Sequence, residues 1–350
     1  MHPEAGGAEV FVHEIAKVWT ENGHQVEVFS SRVAGKGSRD YVDGVTIRRI
    51  GSLRAGSHHV LAPRIANASN PDVILESINT LPYQLPLRRG DWSPFVSLVH
   101  QMAKDIWHSH LPFPIAQIAE RLEPSLYRAY RNRQVLAVSE STKADLHGAG
   151  LRDITVVPQG GIGPQPFVEK ERDPTLMFVG RLASNKRPDH AVETFKHVRM
   201  ALPSARLWLV GEGEMRSQLS VDLPPGVELL GRLSREELMA RMGRAHLLIA
   251  TSVREGWGLV VTEAAALGTP TVAYSVPGLT DSVVHEETGL LVPESPRKLA
   301  ESVITLIKNP DRREAMSRRA ADWGSRWSWP LTSASVFGSL QELSGDGLAR

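Results

Sequence analysis

Short apolar runs alternate with helix-length amphipathic segments along nearly the whole chain, and this alternation restricts the fold more than any other feature. Parallel strands need long crossover connections, so the pattern is typical of a doubly wound α/β protein. It predicts strands in the first half at residues 25–30, 45–50, 72–76, 95–100, 135–139 and 155–158. It predicts strands in the second half at residues 176–180, 206–211, 227–230, 246–250, 271–274 and 289–292.

A glycine- and proline-rich segment, Gly160-Gly161-Ile162-Gly163-Pro164-Gln165-Pro166, separates the two sets of strands and is typical of a linker. We therefore predict two Rossmann-like domains, at residues 1–163 and 170–329, that face each other across a ligand cleft. A final helix within residues 330–350 is expected to cross back onto the first domain. A length of 350 residues agrees with two domains.

The first domain departs from this pattern at its start. A doubly wound domain normally begins with a strand that leads into its first glycine loop. Here Gly6-Gly7-Ala8-Glu9 comes almost at once, followed by a helical pattern from Ala8 to Glu21. The first strand is therefore expected to be missing, either because the start is truncated or because the sheet is depleted.

Composition excludes several classes of function. Forty basic and 39 acidic residues give a formal charge of +1, which does not support a dedicated nucleic-acid binder. The chain has no cysteine, so disulfides, cysteine-ligated zinc and thiol catalysis are excluded. No apolar run approaches 18 residues and no signal-peptide core is present, which favours a soluble cytoplasmic protein.

The segment Glu255-Gly256-Trp257-Gly258-Leu259 follows an apolar run and precedes a helical stretch that contains Glu263. A strand, a glycine loop and a helix N-terminus together form a site for an anion such as phosphate. Nearby carboxylates prefer hydroxyl groups, so Glu255 and Glu263 are placed to hold a sugar and a ribose beside a diphosphate. The alternative is that Glu255 only favours the helix dipole and that Glu263 is a solvated helix position.

A second loop carries cations. Gly180-Arg181-Leu182-Ala183-Ser184-Asn185-Lys186 follows a predicted strand and precedes a helix that begins near Pro188. Arg181 offers a planar fork of donors and Lys186 a compact charge, which together would neutralise a departing diphosphate. Two exposed surface cations are the alternative interpretation.

Two further segments bear on the same chemistry. His100 stands at the C-terminal end of a predicted strand, where open α/β sheets bind ligands, although a structural histidine is equally common there. Gly6 and Gly7 precede a helix and would let backbone N–H groups approach a phosphate or a sugar closely, or would simply form a turn. The segment Tyr274-Ser275-Val276-Pro277-Gly278-Leu279-Thr280-Asp281-Ser282 would line the sugar pocket.

In order along the chain, these motifs resemble those of the GT4 family of retaining glycosyltransferases, which have the GT-B fold. The spacing of Glu255 and Glu263 is similar to the family's E-x7-E motif. The resemblance covers nearly the whole chain and extends to the segments Val138-Ser139-Glu140-Ser141 and Thr288-Gly289-Leu290-Leu291-Val292. The sequence departs from the family pattern at four places. Gln159 replaces the usual Asn, Pro277 the usual Gly, Thr280-Asp281 the frequent Pro-Glu, and Trp257 the usual Phe. Because Asp281 keeps a carboxylate at its position, we expect a shifted sugar preference.

The resemblance implies transfer of a hexose-type sugar from a nucleoside diphosphate donor to a hydroxyl acceptor, with no cofactor and no metal. By the same resemblance, Arg181 and Lys186 would bind the diphosphate, Glu263 the ribose, and Glu255 and His100 the transferred sugar. Donor contacts would also come from Gly6, Gly7, Gly180 and the segment Gly256-Trp257-Gly258-Leu259. The family carries out the transfer by a front-face substitution that the leaving group assists.

Other functions remain open at this level. Leu209-Val210-Gly211-Glu212-Gly213-Glu214-Met215-Arg216 suggests a nicotinamide-binding loop, but Arg216 stands at the third glycine position, so we reject it. A nucleotide-sugar epimerase or a glycosyl phosphorylase would use the same fold, although no lysine has a convincing setting for pyridoxal phosphate. A nucleotide-sugar-binding protein without transferase activity is the non-catalytic alternative.

The acceptor and partner surfaces are the least constrained. Trp107, His108 and His110 are candidate acceptor contacts on loops of the first domain. The stretch with Arg121, Tyr127, Arg128, Tyr130, Arg131 and Arg133 would make weak peripheral contact with an anionic membrane, or would form a solvated helix face. The sequence gives no oligomeric state.

Overall fold

The computed structural model of the chain describes residues 6–52, 57–87 and 93–344. They fall into two compact α/β units. The first unit contains the described residues up to Ala103 together with Ala119–Gly160 and the chain from Trp329 onward. The second unit contains Lys104–Ile118 and Gly161–Ser328. The change of unit at Gly160 and Gly161 lies inside the predicted linker.

The strands of the first unit form two sheets, not the single sheet that the sequence analysis expected. Within the described residues, no strand precedes helix α1. In the described residues, β1 and β4 are edge strands of these two sheets. Their orders are β1-β3-β2 and β4-β5-β6-β7. The strands are β1 (Glu27–Ser30), β2 (Arg39–Val42), β3 (Val45–Arg49), β4 (Ile74–Asn79), β5 (Phe95–Gln101), β6 (Val135–Ala137) and β7 (Ile154–Val156).

Helices cover these sheets and close the core of the first unit. Phe11, Ile15 and Trp19 of α1 pack with Val96 and Leu98 of β5. The last helix of the described residues, α13 (Trp329–Ser344), joins this core through Val336 and Leu340. The helices that belong wholly to this unit are α1 (Gly7–Glu21), α2 (Ser57–Ala68), α5 (Glu140–Gly148) and α13 (Trp329–Ser344), and α4 (Ile115–Leu126) begins in the segment that groups with the second unit.

The second unit is built on one parallel sheet with the order β10-β9-β8-β11-β12-β13. Apart from the edge strand β10, which is mostly half-buried, its strands are largely buried and read as near-continuous apolar runs, which is typical of parallel strands covered on both faces. They are β8 (Thr175–Val179), β9 (Arg206–Val210), β10 (Val227–Gly231), β11 (Leu247–Ala250), β12 (Thr271–Tyr274) and β13 (Gly289–Val292).

The helices of the second unit begin where the sequence provides N-terminal signals. The Ser234 hydroxyl accepts a hydrogen bond from the Glu237 N–H at 3.2 Å, and the Glu237 carboxylate accepts one from the Ser234 N–H at 3.0 Å. Proline stands at the start of α6, α11 and α12, where a missing N–H costs nothing. The helices are α3 (Trp107–His110), α6 (Pro188–Ala201), α7 (Arg216–Leu219), α8 (Arg235–Arg244), α9 (Leu259–Ala266), α10 (Leu279–Ser282), α11 (Pro296–Ile307) and α12 (Pro310–Gly324).

Candidate active site

The second unit reverses its strand order between β8 and β11, the two strands at the centre of the sheet. The connections after these strands therefore run in opposite directions and leave a crevice at their C-terminal ends, which is where open α/β sheets bind ligands. The loop after β8 carries Gly180, Arg181 and Lys186, and the loop after β11 carries Glu255 and Gly258. The topology thus places both predicted motifs at the same edge of one sheet.

Hydrogen bonds join these two loops directly. The Val253 N–H donates to the Asn185 carbonyl at 2.9 Å. The Thr251 hydroxyl lies 2.9 Å from the Lys186 carbonyl and 2.8 Å from the Arg187 carbonyl. These contacts fix the backbone of the cationic loop against the backbone of the acidic loop.

The same two loops bring a lysine and a glutamate together. The Lys186 ammonium forms an ion pair with Oε1 of Glu255. The Ser252 hydroxyl donates to the same oxygen at 2.6 Å. Both charged side chains are largely removed from solvent, with 19% and 18% of their surfaces exposed. The charges are therefore held in place before any ligand binds.

Arg181 differs from Lys186 in its surroundings. Its side chain is exposed, and within the described parts of the chain no carboxylate pairs with it. The backbone beside it is fixed, because the Gly180 N–H donates to the Val210 carbonyl at 3.0 Å and the Leu182 N–H to the Glu212 carbonyl at 2.9 Å. Arg181 is thus a cation with an unused fork of donors on a rigid loop.

The loop that ends in Gly258 presents the N-terminus of α9. Gly258 caps the helix with a φ of 93°, in the left-handed region that favours glycine, and it has no side chain to cap the first turn. The cap therefore offers the first turn no side-chain partner, although the Val261 N–H donates to the Gly258 carbonyl at 2.8 Å. A helix N-terminus of this kind favours an anion. Gly278 packs directly against the backbone of this loop. A Cβ at Gly278 would lie 2.2 Å from the Glu255 carbonyl oxygen, so only glycine allows the two backbones to approach this closely.

Trp257 contributes to the loop by packing. Its ring lies 4.9 Å from that of Trp327 and 6.2 Å from that of Trp323. It is buried, so its side chain anchors the loop to α12, and any donor contact at this position would come from the backbone.

Glu263 lies one helical turn after Leu259 and is 7% exposed. Arg235, the first residue of α8, reaches it with Nη1 at 2.7 Å from Oε1. Asp281, by contrast, caps a helix: its Oδ2 accepts a hydrogen bond from the Gly278 N–H at 3.1 Å. Glu263 is therefore a carboxylate held near the crevice, whereas Asp281 caps the short helix α10.

His100 lies in the first unit, near the end of β5. Its Nε2 is 3.0 Å from the Ser77 hydroxyl, and its ring meets that of Phe11 edge to face at 5.4 Å. Burial lowers its pKa to about 4, because the charged imidazolium loses its hydration. His100 is therefore a neutral imidazole at physiological pH.

Gly6 and Gly7 lie at the N-terminus of α1 in the same unit. The Gly6 N–H donates to the Glu9 carboxylate at 2.7 Å. Glu9 thus satisfies one of the backbone donors that the sequence analysis assigned to a donor phosphate.

The segment Lys104–Ile118 was expected on the first domain, but it groups with the second unit. The Ser184 hydroxyl donates to the Ser109 carbonyl at 3.0 Å, and Nε of the buried Arg254 lies 3.9 Å from Asp105. The acceptor candidates Trp107, His108 and His110 form α3 in this segment, beside the loops that carry Lys186 and Glu255. No local sequence signal indicates this packing, because it joins residues far apart in the chain.

The glycines of Gly211-Glu212-Gly213 have a structural explanation. A Cβ at Gly211 would lie 1.9 Å from the Gly180 carbonyl oxygen, and one at Gly213 would lie 2.4 Å from the Leu182 carbonyl oxygen. These glycines let the loop after β9 pack against the loop that carries Arg181, which agrees with rejecting a nicotinamide site.

One expectation about the surface is wrong. Tyr127 and Tyr130 are fully buried in the first unit. The Tyr127 hydroxyl donates to the Thr80 carbonyl, and the Tyr130 hydroxyl donates to Glu76. They cannot contact a membrane. Within residues 6–52, 57–87 and 93–344, no helix is long and apolar enough to cross a bilayer, and no three histidine or carboxylate side chains cluster as metal ligands.

Solved structures share this fold over nearly the full length of the chain. Sucrose-phosphate synthase from Thermosynechococcus elongatus has a TM-score of 0.81 at 19% identity, with 98% of this chain and 94% of that chain covered. HepE from Anabaena, in complex with UDP-glucose, has a TM-score of 0.74 at 17% identity, with 98% of each chain covered. The two α/β units therefore have the GT-B fold.

The sequence comparisons give the family. Residues 5–160 match the model of Glycosyltransferase Family 4, and residues 164–323 match that of the Glycosyl transferases group 1. A D-inositol 3-phosphate glycosyltransferase from Kineococcus radiotolerans is 29% identical over 393 aligned residues, with 94% of this chain and 89% of that protein covered. This chain belongs to the group 1, GT4-type glycosyltransferases and is an enzyme that transfers a sugar.

Proposed function

We propose that the chain transfers a hexose-type sugar from a nucleoside diphosphate donor to a hydroxyl group, with retention at the anomeric carbon. The observation that carries this proposal is the meeting of Lys186 and Glu255 at the strand reversal of the second unit. A cation for the diphosphate and a carboxylate for the sugar hydroxyls stand side by side there. The open N-terminus of α9 adds N–H donors for the same phosphates.

In this reaction the bond between the anomeric carbon and the phosphate oxygen breaks, and a bond from the acceptor oxygen forms on the same face. Arg181 and Lys186 stabilise the negative charge that develops on the departing diphosphate. The acceptor hydroxyl gives its proton to a phosphate oxygen of the leaving group. The neutral His100 ring is suited to a hydrogen bond with the sugar rather than to charge stabilisation. No metal ion enters this scheme.

The ion pair has a consequence for donor binding. In the free protein Lys186 is neutralised by Glu255. A diphosphate brings at least two negative charges, so it would draw Lys186 toward itself and release Glu255 for the sugar hydroxyls. Binding and activation of the site are therefore one event in this proposal.

The identity of the donor is best tested with a panel of UDP-, GDP-, ADP- and dTDP-sugars. UDP-sugars come first, because the structurally similar HepE is complexed with UDP-glucose. Thermal stabilisation would identify the nucleotide, and release of nucleoside diphosphate with a hydroxyl acceptor would measure transfer. D-inositol 3-phosphate is a suitable first acceptor to test, because the similar protein from Kineococcus radiotolerans is a D-inositol 3-phosphate glycosyltransferase.

The panel separates the competing functions. A glycosyltransferase releases nucleoside diphosphate and forms a glycoside whose anomeric configuration matches that of the donor. An epimerase would interconvert donor sugars without releasing nucleotide, and a binding protein would be stabilised without either product. Stabilisation by no nucleotide sugar, or a product of inverted configuration, would contradict the proposal.

We also propose weak peripheral contact with an anionic membrane, through α4. Ile115, Ile118 and Leu122 lie on one face of this helix and are exposed, so the helix presents an apolar face to solvent in addition to its buried side. Exposed arginines follow at positions 121, 128, 131 and 133, which favours an anionic surface.

Sedimentation with phosphatidylglycerol vesicles tests this contact. The pair of changes Ile118→Ser and Leu122→Ser should abolish binding, whereas Met200→Ser, at a residue of α6 that is 75% exposed, should not. Equal binding of all three proteins, or no binding by the unmodified protein, would contradict the membrane contact.

A further inference from the structure

Arg235 and Glu263 form an ion pair that links α8 to α9. Nη1 of Arg235 lies 2.7 Å from Oε1 of Glu263. The carboxylate side is nearly buried, with 9% of the side chain exposed, whereas 53% of the arginine side chain is exposed. The arginine therefore approaches a buried carboxylate from the solvent side.

The position of Arg235 does not stabilise the helix to which it belongs. It is the first residue of α8, where the positive end of the helix dipole disfavours a cation. Glu236 and Glu237 follow it and suit that position, and Arg241 and Arg244 stand in the last turn, where cations are favourable. Arg235 is thus the one charged residue of this helix whose sign opposes the dipole, and its partner outside the helix is Glu263.

We propose that Arg235 is a positioning residue that holds the Glu263 carboxylate in one orientation for the vicinal hydroxyls of the donor's ribose. This inference rests on the proposed function, together with the ribose contact that the family resemblance implies for Glu263. An ionised carboxylate accepts about four hydrogen bonds, so the contact from Arg235 leaves acceptor positions on the same group. A guanidinium on Oε1 also restricts rotation of the side chain, which leaves less entropy to lose when the diol binds.

The test compares a nucleoside diphosphate with its 2′,3′-dideoxy analogue, which lacks the hydroxyls that Glu263 would bind. The probe is the nucleoside diphosphate that stabilises the unmodified protein most in the panel above. Its affinity and that of the analogue are measured by calorimetry on the unmodified protein and on Arg235→Ala, Arg235→Lys and Arg244→Ala. Arg244 is the matched control, because it lies on the same helix, is 57% exposed and pairs with Glu171 at 2.7 Å.

We expect the unmodified protein to bind the diol at least about tenfold more tightly than the analogue, as paired hydroxyls on a charged acceptor should give. Arg235→Ala should reduce this preference to about twofold while leaving the affinity for the analogue unchanged. Arg235→Lys should keep part of the preference, and Arg244→Ala all of it. In turnover, Arg235→Ala should raise the donor KM and leave kcat nearly unchanged, since the ribose contact is the same in the ground state and the transition state.

The outcomes distinguish this inference from the proposed function. A full diol preference in Arg235→Ala would overturn the role of Arg235 while leaving the ribose site in place. An equal loss of affinity for both nucleotides would also overturn it, since that would show general damage to the site. No binding of any nucleotide by the unmodified protein would instead contradict the proposed function itself.

Discussion

Lys186 and Glu255 neutralise each other across the two loops that leave the central strands of the second unit. They are 69 residues apart in the sequence, and their contact depends on the hydrogen bonds that join the loops. Because both charges are largely shielded from solvent, dissolved salt screens this pair less than it screens an exposed ion pair. A diphosphate that enters the crevice must compete with this pair for the lysine.

Gly180 should matter for ligand binding and not for folding. A Cβ at this position would meet nothing closer than Phe178 Cζ at 3.7 Å, which is an ordinary contact, and its φ is not in the left-handed region. We expect Gly180→Ala to keep its unfolding free energy within about 1 kcal/mol. If the backbone here approaches the donor's phosphates, the methyl group should weaken nucleotide affinity about tenfold or more.

Gly211→Ala is the matched comparison for that prediction. Its φ is 138°, and its Cβ would overlap the Gly180 carbonyl oxygen at 1.9 Å. It should therefore destabilise the second unit by more than about 2 kcal/mol. Urea unfolding and calorimetry with nucleotide separate the two effects. Unchanged nucleotide affinity in Gly180→Ala would show that this glycine is not a donor contact.

The sequence pattern predicted the position of the parallel strands well, because most of them are short apolar runs, although β1 and β10 are only half-buried. It missed β2, whose residues are alternately exposed and half-buried at the edge of a sheet. The two-residue turn at Asp43 and Gly44, both with positive φ, connects β2 to β3 as a hairpin. An Asp-Gly pair between two runs was therefore the signal that could have located this strand.

The candidate site could be predicted only in part. The loops that carry Arg181 and Glu255 follow strands that are recognisable from the sequence, so their shared edge follows from the topology. The approach of Arg235 to Glu263 and the packing of Ser109 on Ser184 join distant segments, and no local pattern records them. The role of Trp257 in an aromatic cluster likewise depends on Trp323 of α12 and on Trp327, which follows that helix.

Trp257→Phe should be tolerated. The indole Nε1 of Trp257 is buried without a hydrogen-bond partner in the described part of the chain, so its removal costs little. A phenyl ring keeps most of the contact with Trp327. We expect a change in unfolding free energy of about 1 kcal/mol or less, whereas Trp257→Ala should cost about 3–5 kcal/mol. Chemical denaturation measures both, and near-equal losses would show that the ring does not anchor the loop.

His246 should make the second unit sensitive to acid. Burial lowers its pKa to about 4, with smaller contributions from the charges of Arg313 and Lys170. Its Nδ1 accepts a hydrogen bond from the Thr175 N–H at 3.0 Å, which requires the neutral ring. The unfolded chain protonates first as the pH falls, since its histidine pKa is about 6.5. The stability that the neutral ring provides is therefore present above about pH 6.5 and is lost toward pH 4.

His246→Asn provides the measurement, because an amide oxygen can accept the same N–H but does not titrate in this range. Between pH 7 and pH 5, the unmodified protein should lose about 1 kcal/mol more unfolding free energy than the variant, after discounting for the exposed part of the ring. The unfolding free energies of the two proteins must be subtracted, because other groups also change stability with pH. Burial raises the pKa of Glu76, so this residue changes the stability in the opposite direction as the pH falls. Parallel pH profiles would contradict the assignment to His246.

The central claim is that Lys186 stabilises the departing diphosphate, and Lys186→Ala tests it most directly. The control is Lys196→Ala, which removes an exposed lysine of α6 that pairs with Glu193 at 3.6 Å. Nucleoside diphosphate release is measured with the donor and acceptor found in the panel, and urea unfolding confirms that both variants are folded. We predict that Lys186→Ala lowers kcat by about 10²–10³ while Lys196→Ala leaves it unchanged. A folded Lys186→Ala protein with unaltered turnover would contradict the account.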